Sequence, residues 1–273
     1  MPCSECPNVN PLMSLVGLFV GLCVGLTGVG GSSLTAPILM LFFGFTPLTT
    51  VGTDLAYSVP TKLVGGFVHW RQGTTSLSLI ATLVVGGFPG VCLGLATFFW
   101  LTQHLDMHAL DVMVRHLVGI ALFVSAITLA ITPFVNILKT KRGLVSEPIA
   151  ETITWTTALR VRVAAIGFFV GVAISLTSIG GGSLTLPLLY FASTRLGIKK
   201  LIGSEVAFAA SILPVAAFGH LSFGNVSFVT CASLLVGSIP GVYIGSRLAS
   251  RVPEHFVRPA VAGVMALAGS RLF

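Results

Sequence analysis

Long apolar runs, separated by short polar or Gly/Pro segments, occupy almost the whole chain. Their apolar positions are continuous, whereas strands of an outer-membrane barrel alternate apolar and polar positions over about ten residues. A helix that crosses the hydrocarbon core of a membrane takes about 20 residues. The pattern therefore predicts an all-α polytopic membrane protein. Its ten runs lie at 12–27, 33–45, 49–69, 74–101, 110–138, 160–178, 183–194, 200–221, 225–249 and 256–273.

One long polar stretch, from Lys139 to Glu151, interrupts this pattern and divides the runs into five and five. It predicts a linker between two membrane units. The predicted organisation has four parts. They are an N-terminal tail at 1–11, a first membrane repeat at 12–138, a linker at 139–159 and a second membrane repeat at 160–273.

The two halves resemble each other in sequence. The first contains GLFVGLCVGLTGVGGSSLTAPIL from Gly17, and the second contains GFFVGVAISLTSIGGGSLTLPLL from Gly167. Further along, GTD matches GSE, His69 matches His220, and PGVCLG matches PGVYIG. Such self-similarity indicates a duplication. Because each half has an odd number of segments, the second copy is predicted to enter the membrane upside down, as an inverted repeat.

Composition supports a lipid environment. Apolar residues make up 54% of the 273 residues and charged residues only 8%, against about 25% charged in soluble domains, and the mean hydropathy is +0.98. These values exclude a soluble enzyme, a disordered chain and a disulfide scaffold. The net charge of +7 is spread over loops, so it does not indicate nucleic-acid binding.

The basic residues predict the orientation. If loops alternate sides, almost all of them fall on one side of the membrane, which the positive-inside rule makes cytoplasmic. We therefore expect a multi-pass protein of the cell inner (plasma) membrane with both termini external. The first segment lacks a preceding basic region, so we expect no cleaved signal peptide. Cys3 and Cys6 form a lone CxxC, which we interpret as part of an ordinary tail.

Glycine-rich tips join the first two segments of each half, TGVGGSSLT in the first and TSIGGGSLT in the second. These segments are short enough to form re-entrant hairpins. Glycines admit close approach of a ligand, serines can cap the following helix, and a helix N-terminus favours an anion. The alternative is that the glycines only permit turns and packing. The predicted substrate-binding residues are Gly30, Gly31, Ser32, Ser33, Thr53, Lys62, Gly180, Gly181, Gly182, Ser183 and Ser204.

Ionisable residues inside apolar runs are functional candidates, since burying a charge in lipid is costly. Asp54 and Glu205 are repeat equivalents, and they either serve gating or proton coupling or only anchor segment ends. Lys62 would attract an anion or pair with Asp54. His69 and His220 end their segments and are also candidates for gating or proton coupling, or else are ordinary residues of a helix end.

With these residues in view, the chain resembles the TauE/SafE family of sulfite and organosulfur anion exporters. The resemblance rests on the duplicated tips with their following prolines and on the GTDLAYS and GSEVAFA segments. It implies export of small anions such as sulfite or sulfoacetate. The inverted repeat predicts that transport proceeds by alternating access about a midplane site. An anion channel and a membrane-embedded enzyme acting on a sulfur compound are the alternatives.

The predicted partners are a small anionic substrate and membrane lipid. We expect no enzymatic activity, catalytic residue, cofactor, metal or nucleic-acid partner, and assembly into a homo-oligomer stays open. Glycines repeated every four residues, as at Gly86, Gly90 and Gly94, predict close helix packing.

Overall fold

The structure is a computed structural model that describes residues 10–27, 31–141, 153, 155–192, 196–248 and 254–272. Cys3, Cys6, Gly30 and most of the predicted linker lie outside these residues. The described part of the chain forms ten helices. They are α1 (Pro11–Thr27), α2 (Ser32–Phe42), α3 (Pro47–Arg71), α4 (Leu77–His104), α5 (Met107–Lys141), α6 (Thr157–Thr177), α7 (Thr185–Phe191), α8 (Ile198–Ser222), α9 (Phe228–Leu248) and α10 (Glu254–Ser270).

Each helix overlaps one of the ten apolar runs, so the predicted all-α membrane fold is confirmed. Five helices, α4, α5, α6, α8 and α9, contain stretches long and apolar enough to cross a membrane. The expectation that both helices beside each tip are short is wrong for α6, which has 21 residues. It holds for α2 and α7. Their 11 and 7 residues span only about 16 and 10 Å, less than the roughly 30 Å hydrocarbon core.

Helices of each half pack against helices of the other half. α1 of the first half packs on α9 of the second, and α6 of the second half packs on α4 of the first. A Cβ at Gly86 would overlap the carbonyl oxygen of Ala164, and one at Gly237 would overlap that of Ser14. These two contacts are equivalent under the sequence repeat. The glycines therefore let helix backbones touch, as predicted, and the same contact occurs twice with the halves exchanged.

Helices α3 and α8, which are equivalent in the repeat, pack against each other, and so do α5 and α10. Polar residues are buried along α3 and α8, whereas large apolar side chains such as Phe42, Phe169 and Leu267 are exposed. An apolar exterior around buried polar groups is what lipid as a solvent favours, because polar groups then find partners only inside the protein. The α3–α8 contact is the place where buried polar groups can form a site.

Candidate functional site

The second tip connects α6 to α7 through three residues with positive φ. Ser178 has φ 61°, and Gly180 and Gly182 have φ 154° and 100°. A non-glycine residue in the left-handed region is strained and is often found at functional sites. The hydroxyl of Thr185 donates to the Gly180 carbonyl at 2.8 Å and closes the turn. The tip is thus an ordered turn whose glycines are needed for its backbone conformation.

The predicted capping of the following helices by serine is wrong. The residues at the N-cap positions of α2 and α7 are Gly31 and Leu184, and neither supplies a side-chain cap. The hydroxyl of Ser183 instead accepts a hydrogen bond at 3.1 Å from Ser125 on α5. Ser33 is also buried, at 1% exposure. The tip serines therefore face the protein interior, where polar groups must find partners.

Asp54 lies where the two tips meet. Its side chain is fully buried. The hydroxyls of Ser32 and Thr35, from the first tip and α2, and of Ser178, from the second tip, face its carboxyl group. No described donor reaches either carboxyl oxygen with hydrogen-bond geometry, and the Ser178 hydroxyl is also buried without a partner. Full burial contradicts the alternative that Asp54 anchors a segment end at the lipid headgroups.

Lys62 and Glu205 form a buried ion pair between α3 and α8. The Lys62 Nζ donates to the Glu205 Oε1 at 3.1 Å and to Oε2 at 3.5 Å, and the side chains are 8% and 0% exposed. Lys62 thus pairs with the repeat equivalent of Asp54 and not with Asp54, which was the predicted alternative. A Cβ on Gly181 would lie 3.5 Å from the Glu205 Oε1 and 3.9 Å from the Lys62 Cε. The ion pair therefore lies directly against the second tip.

Thr53 and Ser204 make equivalent contacts with the opposite half. The Thr53 hydroxyl accepts the backbone N–H of Ser227 at 3.0 Å, and the Ser204 hydroxyl accepts that of Ser76 at 2.9 Å. Ser227 and Ser76 directly precede α9 and α4. Both hydroxyls therefore satisfy a backbone donor that begins a helix, which is a known need of helix N-termini.

The two histidines occupy equivalent positions but have different surroundings. His69 contacts the Thr74 hydroxyl through Nδ1 at 2.9 Å, at the end of α3. His220 is fully buried and donates from Nε2 to the Ser175 carbonyl at 2.8 Å. Its ring packs on Phe98 at a centroid distance of 4.6 Å, and its Nδ1 is buried without a partner. The contact with Ser175 positions α8 against α6.

A family model described as "Sulfite exporter TauE/SafE" matches residues 13–272, which include both tips and the ion pair. The chain belongs to this family. The membership makes it a membrane transporter with several membrane-spanning helices, and it confirms the resemblance expected from the tip sequences.

The TauE/SafE chain is also similar to named transporters over nearly its full length. The probable membrane transporter protein YjnA of Bacillus subtilis is 34% identical over 94% of this chain and 97% of its own. YdhB of the same organism is 28% identical, with 94% and 99% covered. The protein MJ0441 of Methanocaldococcus jannaschii is 24% identical, with 94% of each chain covered. No solved structure matches the chain significantly.

Sequence reasoning does not single out several polar residues around the two tips and Asp54. In the sequence Ser178 stands out only as a member of a tip, and Ser58 only as the last residue of GTDLAYS. In the structure the Ser58 hydroxyl lies 3.4 Å from that of Ser32. Thr35 is repeated as Thr185, a duplication that could have drawn attention to it. Ser125 lies outside the matched motifs of the two halves, so the repeat does not distinguish it from an ordinary helical serine.

The arrangement places a lysine–glutamate ion pair against the second tip and a buried aspartate beside hydroxyls of both tips. A lysine ammonium offers three hydrogen-bond donors and a full positive charge. Serine and threonine hydroxyls can donate or accept according to need. Such a set can hold a small oxyanion and can also hold or release a proton.

Proposed function

We propose that this TauE/SafE transporter exports small oxyanions, such as sulfite or a sulfonate like sulfoacetate, through a site beside the second tip. The observation that carries the proposal is the Lys62–Glu205 ion pair against Gly181. The site comprises Lys62, the tip residues Gly180 to Ser183, and Gly31 to Ser33 of the first tip. Gly30 is included on the sequence repeat alone.

The Glu205 carboxylate supports this proposal because it is itself an oxyanion held by Lys62. A buried ammonium without a partner is costly, so the place beside its Nζ must hold a negative group. A lysine ammonium has three N–H donors, so a substrate oxyanion that enters can bind Lys62 while Glu205 keeps its own contact, and neither buried charge is left unpaired. Substrate and Glu205 thus share the same cation.

Alternating access supplies the movement in this proposal. The halves pack through reciprocal contacts of α1 with α9 and of α6 with α4, so they are suited to two arrangements in which their roles are exchanged. An inverted orientation of the two halves would place the tips near the midplane and open them to each side in turn. His69 and His220 lie at equivalent helix ends, where they are candidates for gating groups.

Orientation and direction follow from charge. We propose that the basic loops are cytoplasmic in the plasma membrane and that both termini are external. A negative cell interior then favours export, because moving one elementary charge across 100 mV is worth about 2.3 kcal/mol. A dianion gains about twice that amount, so no coupling ion is required to drive it outward.

Flux into proteoliposomes tests the proposal. Purified protein is reconstituted, and uptake of sulfite, sulfoacetate, sulfate and acetate is measured with and without an opposing gradient of unlabelled anion. We expect saturable uptake of one or more sulfur oxyanions, accelerated by counterflow, with the anion chemically unchanged. Flux without saturation or counterflow would indicate a channel. A chemically altered anion would indicate an enzyme.

Charge variants connect the flux to the site. Lys62→Met should abolish saturable uptake, whereas Lys199→Met, a lysine exposed at the start of α8, should leave it intact. Equal flux in both variants, at matched protein amounts, would remove Lys62 from the site. No uptake of any anion by the unmodified protein would reject the proposed function itself.

A further inference from the structure

We propose that Asp54 is a proton-binding site and that its protonation is linked to binding of the anion, whereas its repeat equivalent Glu205 carries no such proton. The proton site rests on the geometry around Asp54 alone. The linkage rests also on the proposed function. The two parts are tested by separate measurements.

The surroundings of Asp54 favour a neutral carboxyl group. It is fully buried, no described donor meets hydrogen-bond geometry at either oxygen, and the groups that face it are the neutral hydroxyls of Ser32, Thr35 and Ser178, which can donate to a carboxylate or accept from a carboxylic acid. An ionised carboxylate in such a place is shielded from bulk solvent and forms no described ion pair, which makes its charge costly. A protonated one carries no charge and donates its O–H to a hydroxyl that can accept it, such as the unpartnered Ser178.

The two repeat-equivalent carboxyl groups differ in whether a cation lies beside them. Glu205 has its charge balanced by Lys62, but the residue of the second half that corresponds to Lys62 is Leu213. Asp54 therefore has no equivalent cation, and no described Lys or Arg forms an ion pair with it. The titratable side chains that face it are Tyr57 on its own helix and Cys231 on α9. Both are neutral in their ordinary state, so neither compensates a charge on Asp54.

The position of Asp54 links its proton to the substrate. Ser178 belongs to the same tip as Gly181, which lies against the ion pair. An anion at this tip brings negative charge towards Asp54 and so favours its protonated form. Linkage is reciprocal, so the protonated form also binds the anion more tightly. At pH values where Asp54 is ionised in the free protein, it must take up a proton when the anion binds. The affinity for the anion then falls by up to about tenfold for each unit by which the pH rises.

Infrared spectroscopy of substrate-free protein tests the proton site without any transport. The chain has three aspartates, Asp54, Asp106 and Asp111, and Asp106 is exposed. Protein labelled with isotopically heavy aspartate should show the carbonyl band of a protonated carboxylic acid at pH 5.5, where an exposed aspartate such as Asp106 is ionised, and this band should decrease as the pH rises to 8.5. The band should vanish in Asp54→Asn and remain in Asp106→Asn and Glu205→Gln. Absence of a protonated aspartate band in the labelled wild-type protein would overturn the proposal, and this measurement requires no variant to fold.

Binding of sulfoacetate tests the linkage. Its dissociation constant is measured by calorimetry from about pH 5.5 to 8.5, in buffers of differing ionisation enthalpy that reveal proton uptake. We expect weaker binding as the pH rises, proton uptake on binding, and neither effect in Asp54→Asn, which should bind tightly at every pH. Glu205→Gln should keep the pH dependence. If the dissociation constant of Asp54→Asn depends on pH as that of the wild type does, the linkage is refuted. If no protein binds sulfoacetate but the infrared band of the protonated aspartate is present, only the proposed function is rejected.

Discussion

Removing the Lys62–Glu205 ion pair in two steps gives the sharpest prediction. Lys62→Met leaves a fully buried Glu205 carboxylate without its cation, and Glu205→Leu leaves a buried ammonium without its anion. Each single change should cost about 3–5 kcal/mol, because the remaining charge is desolvated and unpaired. The double variant replaces both charges by apolar groups of similar volume. It should therefore unfold at nearly the wild-type temperature.

The distances justify this magnitude. Nζ lies 3.1 and 3.5 Å from the two carboxyl oxygens, so each charge depends on the other for most of its compensation. The assay heats purified protein in detergent and measures the fraction that remains monodisperse at each temperature. The coupling obtained from the two single variants and the double variant measures the pair directly. If the single variants melt like wild type, or if the double variant is as unstable as their summed effects, the pair does not stabilise the fold.

The same cycle separates structure from transport. If Lys62 holds the substrate anion, the double variant regains stability but does not bind sulfoacetate. If the ion pair is only structural, the double variant regains both stability and flux. A stable double variant with wild-type flux would therefore refute the role of Lys62 proposed above.

Three further predictions concern packing, the tips and the topology. Gly86→Ala should lower the free energy of unfolding by about 1–3 kcal/mol or more, because its Cβ would overlap a backbone carbonyl of α6. Gly263→Ala, which has open space around it, should have little effect on the melting temperature. Ser33→Ala and Ser183→Ala should each weaken anion binding by more than about tenfold if the hydroxyls donate to the anion, and unchanged dissociation constants in correctly folded variants would show that they serve only the protein interior. Lys141→Cys should react with a membrane-impermeant thiol reagent only in inverted vesicles, and labelling of intact cells would contradict the inverted repeat with a cytoplasmic linker.

The order and approximate bounds of the helices follow from the apolar runs of the chain. In lipid a backbone segment must satisfy its own hydrogen bonds, so a continuous apolar run has little choice but to form a helix. The duplication also appears directly in the sequence, and it drew attention to the tips and to the Asp54 and Glu205 positions before any contact was known. The close packing at Gly86 was predictable because a residue without a Cβ is required wherever two backbones touch.

The partners of the buried polar groups depend on how the helices pack, which the apolar pattern does not specify. Lys62 and Glu205 are 143 residues apart, and the apolar pattern on α3 and α8 leaves open the rotation and crossing of these helices, which bring the two charges together. The same holds for Ser178, whose hydroxyl comes towards Asp54 only because the left-handed turn ends α6 at that residue. Repeat-equivalent residues therefore acquired different environments. Glu205 is paired with a lysine, whereas Asp54 is surrounded by hydroxyls. The reason is that a single difference in sequence at the contact of two packed helices changes the charges that surround every group buried there.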